Sequence, residues 1–306
     1  MGQERSEAPK MEILHKMVAE LMLVVRFTMG ILHSALVFGT NVTGRIMGSN
    51  VFRRHFHLLL SCVVLFGPLL SFWVSKYSIF ANGNHWLYRK FLRSTWGWTS
   101  TLAGSFIVLV SLSARHPPST CLRHLSRIAL AGCLLWTCQR VLTLLEDAAG
   151  TCYEPIAAPQ DVQTTASPDQ PLLVLHQEQT KASCLRNNML WSGYEVSRDV
   201  LILCLCSLLL VEELSVFGRS LTGAKRSAGG PLRFIFLLCV FLLALWLFLL
   251  LCRLAHFPQF PSQQLGGALG YLAWRGLYQG WYRLRPGWGS PGLPDEGMAD
   301  TGKSEL

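Results

Sequence analysis

Charged residues are scarce in this chain, 15% of 306 positions, where a soluble domain carries about a quarter. With 51% of residues hydrophobic, too little polar surface remains to coat a globule of this length. Reactive signatures are missing as well. There is no His-Glu-x-x-His, no Cys-x-x-Cys, no Gly-x-Ser-x-Gly and no phosphate-cradling glycine loop. These absences exclude the motif-bearing zinc hydrolases, nucleophile-elbow hydrolases and P-loop enzymes, and they imply neither a metal nor a cofactor. The 27 Lys and Arg residues are scattered between apolar runs rather than gathered on one segment, which argues against nucleic acid as a partner despite a net charge of +9. The first seventeen residues mix both charge signs and lack an apolar core, unlike a cleaved signal peptide.

What is present is apolar length. Phe234 to Cys252 is an uncharged run bracketed by Arg233 and Arg253, long enough to cross a hydrocarbon core of roughly 30 Å. Further spans are expected over Leu58 to Val74, interrupted by Gly67-Pro68; Trp96 to Leu112; Ile128 to Leu145; a segment built on Val200 to Val211; and the glycine-rich Leu265 to Trp281. Met17 to Phe38 carries Glu20, Arg26 and His33 and reads equally as an interfacial or a spanning segment. The fold expected is all-α, a polytopic helical membrane protein of six spans, with an N-terminal region 1–57, a bundle 58–285 holding a polar loop 146–198, and a disordered tail 286–306.

Basic residues orient the bundle. Arg45, Arg53 and Arg54, then Arg115, Arg123 and Arg127, then Arg219, Lys225, Arg226 and Arg233, fall on one side, expected to be cytoplasmic. Lys76, Arg89, Lys90 and Arg93 fall on the other. The polar loop then faces the lumen, where a Cys152–Cys184 disulfide is plausible chemistry. Cys62, Cys133, Cys138, Cys204, Cys206, Cys239 and Cys252 read as small core residues. His55 and His57, beside Arg53-Arg54, read as headgroup-level residues. The sequon at Asn41 and the tetrapeptide Lys303 to Leu306 fall on the wrong side to be used.

The segment Gly193 to Gly218 concentrates the unusual chemistry. Asp199 stands at its entrance and Glu212-Glu213 near its far end, and acids in a membrane cost about 2.5–3.5 kcal/mol each unless they face protein or water. Two readings stand for the glutamates: a helix end paired with Arg219 or Lys225, or a buried functional acid partnered by Arg140. The second would suit a proton-coupled transporter.

Several stretches, FGPLLSFWV (66–74), STWGWT (94–99), RHLSR (123–127), LLEDAAGTCYEP (144–155), WSGYEVS (191–197), VEELSVFG (211–218) and GGALGYLAWRGLYQGWY (266–282), together resemble the fat storage-inducing transmembrane family of the endoplasmic reticulum, nearer its type-1 branch. The resemblance implies a six-span endoplasmic-reticulum protein that binds diacylglycerol and triacylglycerol and promotes lipid-droplet formation. It also implies a family fatty acyl-CoA diphosphatase activity using two luminal histidines. In register, those positions hold Asp199 and Pro258 here. A carboxylic acid of pKa about 3.9 is a poor general acid near neutrality and proline does not titrate. His256, two residues early, is the substitute the second region offers. The expectation is therefore a non-catalytic or weakly active lipid binder. Its binding surface is expected on the apolar faces of Val200 to Val211 (Leu201, Leu205, Leu208) and Phe234 to Leu251, with Glu212 and Glu213 as a polar floor.

Overall fold

The computed structural model describes residues 8–75, 77–113, 118–155, 173–176, 180–223 and 229–283; the tail 286–306, with its Lys303 to Leu306 tetrapeptide, lies outside the described residues. Apolar length decides the architecture. Helices α1 (Ala8–Gly48), α2 (Asn50–Phe66), α3 (Thr95–Ser113), α4 (Pro118–Ala149), α6 (Arg198–Gly223) and α7 (Gly230–His256) each contain a stretch long and apolar enough to cross a membrane. The fold is that of an all-α polytopic membrane protein. The N-terminal segment is among these six. The glycine-rich segment becomes the shorter α8 (Ser262–Trp274), prolonged to Arg283 by a π turn and a 3₁₀ turn.

Local chemistry sets the boundaries. Ser49 separates α1 from α2 and its hydroxyl accepts the Phe52 N–H at 3.1 Å, satisfying an otherwise orphaned amide. At Gly67-Pro68, α2 tightens into a 3₁₀ helix through Phe72 rather than ending. Helix α7 stops at His256, two residues before Pro258, as expected where proline disfavours the helical conformation of the residue before it.

Helix α6 is the hub. It packs against α1, α2, α3, α7 and α8, and 94% of its apolar window is buried, against 39% for α7 and none for the corresponding window of α1. Helix α8 runs parallel to α6 at very close range. A Cβ on Gly266 would collide with the Ser197 carbonyl oxygen, and one on Gly270 would lie 2.8 Å from that of Leu201. Gly44 and Gly48 of α1 similarly meet Gly218 of α6 backbone to backbone. Trp246 of α7 donates its indole N–H to the Thr99 hydroxyl of α3 at 3.0 Å, and Phe106, Phe217 and Phe236 join α3, α6 and α7.

The polar loop folds into a small cap, which the sequence did not announce. Strands β1 (Thr151–Pro155), β2 (Leu173–His176) and β3 (Leu190–Ser192) form an antiparallel sheet in the order β2-β1-β3. Helix α5 (Lys181–Arg186) carries Cys184, which is disulfide-bonded to Cys152 of β1. Among the other cysteines, Cys204, Cys206, Cys239 and Cys252 are buried, but Cys62 and Cys133 are exposed on the outside of the bundle. The reading of those two as core residues is corrected: hydropathy alone does not distinguish the lipid-facing side of a helix from its protein-facing side.

Candidate functional site

At the loop end, Asp199 occupies the first turn of α6, where the helix dipole favours an acid. Its carboxylate pairs with the Arg253 guanidinium of α7 at 3.0 Å, and the side chains remain 38% and 27% exposed. The pair separates two cavities. One, of about 510 Å³, is bordered by Glu146, Lys181, Glu195, Arg198, Gln259 and Ser262 among others. The other, of about 330 Å³, is bordered by Asn84, Tyr88, Arg89 and Arg93. Glu146, buried at the end of α4, accepts from Arg198 at 2.6 Å and from the Val196 amide at 3.4 Å, and Lys181 lies 3.7 Å away. Tyr88 donates to the Phe80 carbonyl, and burial, with Cys252 beside it, pushes its phenol up to about 12.

Of Asp199, Pro258 and His256, the candidates singled out by the resemblance, only Asp199 reaches these cavities. Pro258 is exposed in the turn between α7 and α8. His256 is half-buried on the last turn of α7 and lines neither cavity; the turn contributes Gln259 and Ser262 instead. Both linings are charged, share Asp199 and Arg253, and contain no histidine among the described residues. Asp199 lines both cavities, whereas Pro258 and His256 line neither.

At the opposite end, Glu212 and Glu213 are buried, and both are partnered by arginines distant in the sequence. Arg53 of α2 donates to Glu212 at 2.7 Å. Arg127 of α4 donates from two nitrogens to the two oxygens of Glu213, each at 3.1 Å. Tyr278 adds a hydrogen bond to Glu213 at 2.9 Å, and Tyr282 donates to the Arg127 carbonyl at 3.0 Å. This corrects the Arg140 partnership, while the expected pairing with Arg219 or Lys225 falls on side chains outside the described residues. Arg140 is exposed, stacked over Trp136 at 5.4 Å. Thirteen helical residues, roughly 20 Å of rise, separate Arg140 from Arg127, so the relay between Arg140 and the glutamates does not form.

The leucines expected to face lipid are inside the protein. Leu201 and Leu205 are buried in the hub helix, beside the backbone contact of α6 with Gly270 of α8. Leu208 reaches a cavity, and the glutamates form no floor beneath it. Of the α6 face expected to hold lipid, Cys204 and Leu208 line a cavity while the rest is enclosed by neighbouring helices, as a helix apolar all round should be.

The openings lie elsewhere. A cavity of about 290 Å³ sits between α2, α6 and α8, walled by His57, Leu60, Ser61 and Val64, by Cys204 and Leu208, and by Gln264, Gly267, Ala268 and Tyr271. A larger apolar groove, about 570 Å³, runs between α1 and α7, lined by Met29, Leu32, His33, Phe234, Leu237 and Phe241 among others. His57, read as a headgroup residue, stacks on Tyr271 and Trp274 at 5.8 and 6.0 Å and belongs to the first cavity. The signal for that cavity was present: residues 57, 60, 61 and 64, and residues 264, 267, 268 and 271, are both the i, i+3, i+4, i+7 set of one helix face.

A buried two-pair charge network, a surrounded central helix and apolar side cavities define a polytopic helical membrane protein. The sequence comparisons give its family. The chain is 56% identical over 271 residues to the fat storage-inducing transmembrane protein 1 of Danio rerio, covering 88% of this chain and 93% of that protein. It is 40% identical over 263 residues to the Homo sapiens protein of the same name, covering 86% and 84%. A more distant relative is the acyl-coenzyme A diphosphatase FITM2 of Xenopus tropicalis, 28% identical over 263 residues, covering 83% and 92%. The chain belongs to the fat storage-inducing transmembrane family. No family model matches the chain, and no solved structure matches it.

Proposed function

We propose that this protein resides in the endoplasmic-reticulum membrane, binds diacylglycerol and triacylglycerol within its bundle, and promotes lipid-droplet formation and fat storage. The observation that carries the reading is the pair of largely apolar cavities, about 290 and 570 Å³, on the sides of a bundle whose central helix is closed off. Such cavities suit acyl chains with small neutral heads, and the names of the type-1 relatives point the same way. The loop-end cap, with its disulfide, fits an oxidising lumen.

The second reading, acyl-CoA diphosphatase activity, is favoured by the loop-end cavities, whose Arg89, Arg93 and Arg253 are suited to anionic groups, and by the names of more distant relatives. Against it stands Asp199, held by Arg253 with no imidazole in either lining. One preparation tests both. Purified full-length protein in nanodiscs is expected to bind labelled diacylglycerol and triacylglycerol and to leave oleoyl-CoA intact. Turnover abolished by Asp199→Ala would reverse the order of the two readings.

A further inference from the structure

The cavity between α2, α6 and α8 contains a polar group that the protein itself leaves unmatched. The amide oxygen and nitrogen of Gln264 are both buried and neither has a hydrogen-bond partner in the structure. The side chain lines the cavity near its Gly267–Val64 end, where α8 meets α2. Ser61, also in the lining, donates its hydroxyl to the His57 carbonyl at 2.8 Å and so has no need of Gln264. Among the described residues no Lys, Arg, Asp or Glu lines the space, so an ammonium head would find no counter-charge there and a phosphate would find only the His57 imidazole. Ser61, Leu65 and Ala268 are exposed at its rim, which opens sideways between α2 and α8.

A buried, unpaired amide presents one acceptor and two donors. We propose that Gln264 is a specificity-determining residue that reads the free hydroxyl of a diacylglycerol, and that this cavity is the diacylglycerol site. The hydroxyl donates to Gln264 Oε1, Gln264 Nε2 donates to a neighbouring ester carbonyl, and the first carbons of one acyl chain lie along Leu60, Val64 and Leu208. A volume of about 290 Å³ holds the glycerol end and little more, so the chains leave through the side opening. Triacylglycerol has ester carbonyls but no hydroxyl and leaves Oε1 unmatched, which sites built for a donor reject. The assignment rests on the neutral-lipid reading and sharpens it by naming which lipid the cavity selects and which atom selects it.

The test uses full-length protein in nanodiscs with two photoreactive probes, a diacylglycerol and a triacylglycerol carrying a diazirine near the glycerol. Wild-type protein is expected to crosslink diacylglycerol through peptides of α2 and α8. Gln264→Leu is expected to weaken diacylglycerol binding about three- to tenfold, the loss of one or two hydrogen bonds, and to leave triacylglycerol binding unchanged. Ala268→Phe, which narrows the mouth without touching the amide, is expected to weaken diacylglycerol binding as well and serves if Gln264→Leu folds poorly. Diacylglycerol labels confined to α1 and α7, or equal losses for the two lipids in Gln264→Leu, would overturn the assignment while leaving neutral-lipid binding intact. A wild-type protein that captures neither probe would overturn the broader reading, and the assignment with it.

Discussion

Arg127 of α4 and Glu213 of α6 face each other fork to fork, two nitrogens on two oxygens at 3.1 Å, with side chains only 2% and 3% exposed. Tyr278 and Tyr282 close the arrangement from the segment after α8. Bidentate geometry with its remaining capacity filled is the condition under which a buried ion pair persists. Removing one partner leaves the other charge buried and alone. Glu213→Ala is therefore expected to lower stability by about 3–5 kcal/mol, while Arg127→Met with Glu213→Leu is expected to lose much less. Thermal unfolding in detergent, followed by tryptophan fluorescence, checks the order of the two; equal losses would mean that the ion pair itself stabilises the bundle.

The contact between α6 and α8 makes a sharper demand on side-chain size. Gly270→Ala places a methyl group 2.8 Å from the Leu201 carbonyl oxygen and 3.0 Å from Cys204 Cβ, so one helix must move away. Overpacking of this kind costs about 1–3 kcal/mol. Gly276→Ala, where nothing lies within 4 Å, is expected to be neutral or slightly stabilising through helix propensity. Melting temperatures of the two variants, measured side by side, should separate clearly. If they coincide, the close approach is not a constraint on the fold.

Much of this fold was legible because long uncharged runs have few alternatives. The span at Phe234 to Cys252 and the small-residue face of α8 follow from length and spacing alone. The position of α6 at the centre was not legible, since Val200 to Val211 would read the same whether surrounded by lipid or by other helices. The partners of the glutamates were hidden for another reason. Arg53 and Arg127 lie 159 and 86 residues away from them, and both carry the signature of a positive membrane edge. Sequence proximity points to Arg219 and Lys225, whose side chains lie outside the described residues, and only packing brings in arginines this distant. Gln264 was visible as a polar residue on an otherwise small and apolar face, but an unmet hydrogen bond is a property of surroundings that a sequence does not list.

The cap at the loop end is tied by a crosslink spanning 32 positions between Cys152 and Cys184. In the chain-entropy account, a loop of that length is worth about 3–4 kcal/mol to the structure it closes. The bridge joins β1 to α5 within the cap and does not connect membrane helices. Cys184→Ser is therefore expected to increase proteolysis between 150 and 192 while the bundle keeps its melting temperature within a few degrees. Limited proteolysis and melting, run on the same preparation, give both readings. A collapse of the bundle's own transition would mean that the cap holds the helices together.

Asp199 and Arg253 form the pair at which a reactive reading and a structural one diverge most. Their side chains are 38% and 27% exposed, so solvent screens the attraction, and a pair of this kind contributes at most about 1 kcal/mol. Asp199→Ala is accordingly expected to leave the melting temperature nearly unchanged. If the protein acts by holding neutral lipid in side cavities that Asp199 does not line, the same substitution should leave droplet number unaltered in cells expressing it at equal level. Gln264→Leu, which alters a cavity wall, should reduce droplet number in the same assay. The contrast matters more than either value. Droplets lost with Asp199→Ala but retained with Gln264→Leu would move the working site from the flank of the bundle to its loop end.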